Sequence, residues 1–110
     1  MAKVYFEKMT NLLNDIDIES DISLEWEVKH FFSGAALYSN KAIFASWSPV
    51  GLAFKLAEEE VEELLNRGEA KELKYFSKGH VKKGYVLFEN PESQKTNYWK
   101  KYFIKASKQV

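Results

Sequence analysis

The chain has 110 residues, no cysteine, 45% hydrophobic and 15% aromatic residues, and 29% charged residues that balance to a formal net charge of zero. These figures exclude a disulfide scaffold, thiolate chemistry and a disordered tail, and they suit one domain that hides roughly two-thirds of its unfolded surface around a single core. No apolar stretch approaches the length of a membrane span, and Glu7 falls where a signal peptide needs an unbroken apolar run, so a cytoplasmic protein is expected.

Tyr5, Met9, Leu12, Leu13 and Ile16 recur at intervals of three and four, which predicts an amphipathic helix over residues 2–16. Asn14, Asp15, Asp17, Ser20 and Asp21 then offer side-chain acceptors that compete with helix, so a connecting loop follows. From Leu24 the period changes to two, with Leu24, Trp26 and Val28 opposite Glu25, Glu27 and Lys29, the pattern of a half-buried strand. Beyond His30 both phases turn apolar or small, and Gly34 is the natural place for a bend or bulge within this strand.

Ser39, Asn40 and Lys41 form a hairpin connection into a strand over residues 42–47, and Pro49 and Gly51 punctuate the chain before another over residues 52–56. A second helix is expected over residues 57–67, with Val61, Leu64 and Leu65 as its apolar stripe, Glu58, Glu59 and Glu60 at its positive end, and Gly68 as its stop. Residues 71–76 and 81–88 flank Ser77, Lys78, Gly79 and His80 as a second hairpin. Asn90 and Pro91 open a last helix running to about Lys108, striped by Tyr98, Trp99, Tyr102, Phe103 and Ala106. The expected fold is a single α+β domain in the order α-β-β-β-α-β-β-α, with helices packed on an antiparallel sheet.

No nucleophile beside an oriented base, no metal-ligand spacing and no glycine-rich phosphate loop is present, so neither catalysis nor a cofactor nor a metal is expected. His30 and His80 lie far apart in sequence without a fixed-spacing ligand and are taken as strand and turn residues. The acidic run Glu58, Glu59, Glu60, Glu62 and Glu63 spreads around a helix cylinder and suits a solvated face rather than a cation site.

The zero net charge conceals a division: residues 1–70 hold thirteen acids against six bases, and residues 71–110 hold ten bases against three acids. Folding of the two halves against each other would neutralise both. The alternative is a nucleic-acid contact by Lys82, Lys83, Lys100, Lys101 and Lys105, with Tyr98, Trp99 and Tyr102 interleaved as stacking surfaces. Against it, aromatic spacing of three and four is that of a helix burying one face, and the single arginine, Arg67, lies in the acidic half.

The two-sided apolar character of residues 31–47 suggests that helices cover one side of the sheet, while the other is covered either by a protein partner or a second copy of the chain or, locally, by long side chains and loops of the chain itself. Phe31, Leu37 and Trp47, taken to share the outward phase, are the expected interface.

Phe31 and Phe32, Gly34, Leu37 and Tyr38, Phe44 and Ala45, then Leu52, Phe54 and Lys55 follow one another in a characteristic order. This block resembles the N-terminal domain of the bacterial TfoX/Sxy competence-regulator family, whose pattern runs from Met-Phe-Gly-Gly through Gly-Leu-Tyr and Phe-Ala to Leu-Tyr-Leu-Lys. Tyr75, Tyr85, Pro91 and Trp99 extend the resemblance over nearly the whole chain, while Ser33, Ala36 and Lys41 replace frequent glycines and Ala53 a tyrosine. The resemblance implies a secretion-chaperone-like domain without known enzymatic activity. Better-understood relatives are linked to transcriptional activation of DNA-uptake genes together with the cyclic-AMP receptor protein, and carry a further C-terminal helical domain that this sequence does not contain.

Overall fold

The computed structural model describes residues 2–17, 25–31, 34–39, 41–74, 81 and 83–109. Met9, Leu12 and Leu13, on the predicted stripe of helix α1 (Ala2–Asp15), are all buried, as is Ile16 just beyond it. The helix ends where Asp17 takes a φ of 50°, a left-handed conformation that a short polar side chain tolerates.

Four strands follow: β1 (Glu27–Phe31), β2 (Gly34–Ser39), β3 (Ala42–Ser48) and β4 (Gly51–Lys55). Helix α2 (Glu58–Asn66) then leads to β5 (Lys71–Glu72) and β6 (Tyr85–Phe88). A 3-10 turn (Pro91–Ser93) precedes helix α3 (Asn97–Ser107). Among the described residues the strands form one antiparallel sheet in the order β1-β2-β3-β4-β6-β5.

Register shows which residues share a face. Val28, Leu37, Ala45, Phe54 and Val86 form one cross-strand row, and His30, Ala35, Trp47, Leu52 and Phe88 form the next on the same side. All three helices pack on this side. Phe6 of α1 stacks on His30 with centroids 4.8 Å apart, Leu64 of α2 joins the main core, and Trp99, Tyr102 and Phe103 of α3 lie against Phe54. Between Leu37 and Tyr38 the β2–β3 register shifts, leaving Phe44 as the extra residue, so that Phe44 and Ala45 both enter the main core.

Four strands, not three, precede α2. The run expected as one bent strand folds back on itself, pairing Phe31 with Gly34 in a hairpin joined through residues 32 and 33, which lie outside the described set. Gly34 is required for a different reason from the one its sequence context suggests: a Cβ there would stand 2.3 Å from the Trp47 carbonyl oxygen and 2.7 Å from Ser48. The last helix is also shorter than expected. Ser93 Oγ donates to the Asn90 carbonyl at 2.7 Å and the Gln94 amide to that of Pro91, which closes a 3-10 turn before the chain extends at Gln94.

Other expectations hold. Ser39 pairs with Ala42, and Lys41 between them has a φ of 65°, as a tight two-residue hairpin demands. Past α2, Gly68 takes a φ of 72° while its amide bonds to Leu65 and that of Glu69 to Leu64, a Schellman stop. The expected strand start at Leu24, together with Phe32, Asn40, Tyr75, Phe76 and the turn expected at Ser77, Lys78, Gly79 and His80, lies outside the described residues. Among the described residues no helix is long and apolar enough to cross a membrane.

Gly34→Ala should lower unfolding free energy by on the order of 1–3 kcal/mol in a denaturant titration, because backbone rather than a movable side chain blocks the new methyl. Phe54→Ala, which empties the centre of the aromatic cluster, should cost about 3–5 kcal/mol by the same measurement.

Candidate interaction surfaces

Leu37 and Trp47 do not face outward. Both lie on the helix-covered side, Leu37 fully buried and Trp47 8% exposed, with the Lys8 ammonium of α1 5.5 Å from the Trp47 ring. Phe31 is half-buried on the other side. The fold-back between Phe31 and Gly34 explains the separation: reversing through two residues shifts the alternation by one, so Phe31 and Leu37 share parity in sequence and occupy opposite faces.

The second face of the sheet carries a row of small side chains, Ala36, Ser46 and Ala53, each at most 1% exposed. Ala53 packs with Leu87 and Leu73, and Val50 and Tyr85 close over that cluster. The Tyr85 hydroxyl reaches across β4 to donate to the Ile43 carbonyl at 2.7 Å, and the Lys29 ammonium lies 5.3 Å from the Tyr38 ring. Side chains of the chain itself therefore line this face. Among the described residues the single exposed large hydrophobic is Val4, on α1.

The lysines of the proposed nucleic-acid contact divide between two places. Lys83 is exposed near α2, Lys100, Lys101 and Lys105 lie on α3, and Lys82 lies outside the described residues. Lys105 Nζ binds Glu60 Oε2 of α2 at 2.7 Å, and Lys101 Nζ sits 4.8 Å from the Tyr98 ring and 5.1 Å from that of Tyr102. Lys8–Glu92, at 2.6 Å, crosses the same division of the sequence in the opposite sense, with the base from the acidic half and the acid from the basic half, while Lys71–Glu89, at 2.8 Å, lies within the basic half. Each exposed pair contributes less than about 1 kcal/mol, and Lys71 and Lys105 are the lysines of the basic half that these pairs neutralise locally.

The α3 aromatics belong to the core. Trp99 and Tyr102 are 3% and 5% exposed, and the Trp99 indole N–H donates to the Pro91 carbonyl at 3.1 Å, so neither ring is open to a base. Burial first, then a hydrogen bond and charge from Tyr98 and the charges of Glu69 and Glu60, hold the Tyr102 phenol well above its ordinary pKa of 10.0. Among the described residues no three of His, Asp or Glu are grouped to hold a metal. His30 is exposed and stacked on Phe6, and His80 lies outside the described set.

One surface was missed by the sequence pattern. Val61 and Leu65 accompany Leu64 on the apolar stripe of α2, but only Leu64 is buried; the other two line a groove of about 550 Å³ beside Tyr85 and Val81. The signal was a stripe wider than the two adjoining strands need, given that β5 has only two residues. Comparison with family models, with curated proteins and with solved structures finds no match.

Because an unfolded tyrosine ionises near pH 10 while Tyr102 keeps its proton higher, the stabilisation it contributes is complete below pH 10 and is lost as pH rises toward its folded value. Urea unfolding measured at successive alkaline pH values should show stability falling above about pH 10, and Tyr102→Phe should flatten that decline.

Proposed function

We propose that the chain is a non-enzymatic regulatory or adaptor domain, TfoX-like in its strand block, that acts on another protein rather than on nucleic acid. One observation carries this reading. Two of the candidate lysines are engaged within the molecule, Lys105 on Glu60 and Lys101 over Tyr98 and Tyr102, and the candidate stacking rings Trp99 and Tyr102 are buried. A nucleic-acid site needs unpaired cations along a groove and rings free to stack.

In this reading the contact is made on the helix flanks and the sheet edges, which is supported by the burial of Leu37 and Trp47 under the helices and by the chain's own side chains lining the opposite face. The TfoX-like pattern supports a regulatory role through Gly34, whose close approach to β3 gives one of the pattern's glycines a structural reason.

Crosslinked capture from the native cell should recover a protein whose yield is unchanged by nuclease, and fluorescence anisotropy at low salt should detect no binding to DNA or RNA. Affinity for nucleic acid that falls steeply with ionic strength, and is lost in Lys100→Ala/Lys101→Ala, would establish the alternative in its place.

A further inference from the structure

Helix α2 carries more apolar surface than the core consumes. Leu64 is buried in the main core, while Val61 and Leu65, one turn apart, face the connection into β6 and are left half-buried. With Val81 and Tyr85 they floor the groove of about 550 Å³ between α2 and β6, whose lining is more apolar than polar.

Its rim is acidic. Glu58 and Glu62 stand at helical spacing beside Val61 and Leu65, and Glu72 of β5 closes the opposite side. All three are exposed and make no ion pair among the described residues, whereas their neighbours Glu60 and Glu63 on α2 are paired with Lys105 and Arg67. Lys83 is the one cation among the described lining residues, so negative charge predominates.

We infer that this groove receives a segment of a partner protein in which apolar side chains spaced three or four residues apart are flanked by lysine or arginine. The inference rests on the protein-contact reading above and names the site and the chemistry of its partner. The apolar floor selects the anchors by burial, and the acidic rim selects basic flanks over acidic ones, chiefly through the rate of encounter. A helical segment fits most directly, since its i, i+4 anchors match the Val61–Leu65 spacing on α2.

The test is an isotope-labelled amide titration with two synthetic amphipathic helices, one of leucine and lysine and one of leucine and glutamate. The lysine peptide should shift amides of Val61, Leu65, Gly84 and Tyr85, the glutamate peptide should leave them in place, and Glu62→Lys/Glu72→Lys should weaken binding about tenfold. Both substitutions are on exposed side chains away from the first turn of α2, and an unchanged amide spectrum elsewhere establishes that the variant folds. Equal response to both peptides, shifts scattered over the surface, or undiminished binding by the folded variant would overturn the inference. So would a dimer mass that the variant returns to a single chain, because a second copy would then occupy the groove. A captured native partner that the variant retains overturns the groove while leaving the protein-contact reading intact; nuclease-sensitive capture overturns that reading itself.

Discussion

Phe54 is the contact on which the arrangement of helix and sheet depends. Its ring lies 4.9 to 6.1 Å from those of Phe88, Trp99, Tyr102 and Phe103, joining two adjacent strands to the last helix in one desolvated cluster. Edge-on and tilted geometries dominate, so the rings interlock rather than slide, which sets the rotation of α3 on the sheet. That rotation places Trp99 where its indole N–H takes the Pro91 carbonyl, anchoring the chain that enters the helix. It also removes Trp99 and Tyr102 from solvent, and with them the rings that a nucleic-acid surface would use.

Placing every helix on one side leaves the other side of the sheet to be closed by different means. An antiparallel sheet in that position ordinarily turns polar residues outward. Here the central row is small instead, and Tyr38, Tyr85 and Leu73 accompany it, with the Tyr85 hydroxyl satisfied by a main-chain carbonyl two strands away. Small residues at the centre and long ones at the margin let a thin layer exclude water without a second set of helices. An apolar groove lies at the junction of α2 with the shortest described strand, where two residues of β5 cannot cover a full helical stripe.

Charge is organised by the same packing. The acidic and basic halves meet at Lys8–Glu92 and Lys105–Glu60, contacts that join residues distant in sequence, while Lys71–Glu89 pairs two residues of the basic half. Individually weak, the pairs on Lys71 and Lys105 reduce the field of the lysine-rich part, and Glu58, Glu62 and Glu72 leave negative charge predominant beside the α2 groove.

The local sequence determined the helices, the class of the sheet and most turns, because three- and two-residue periodicities, Gly68 and the Ser39–Ala42 connection act over neighbouring residues. It also named the α3 aromatic stripe, whereas the close approach that makes Gly34 necessary was set by its pairing beside β3. Tertiary structure alone decided that the run after Glu27 reverses, since an apolar stretch buried on both faces looks the same whether it continues straight or folds into a hairpin. That reversal put Leu37 on the opposite face from Phe31 and, with Trp47, under the helices rather than on an outward phase. The ion pairs across the charge division and the groove beside α2 were likewise invisible in the chain, because each depends on elements brought together only when the sheet order puts β6 between β4 and β5.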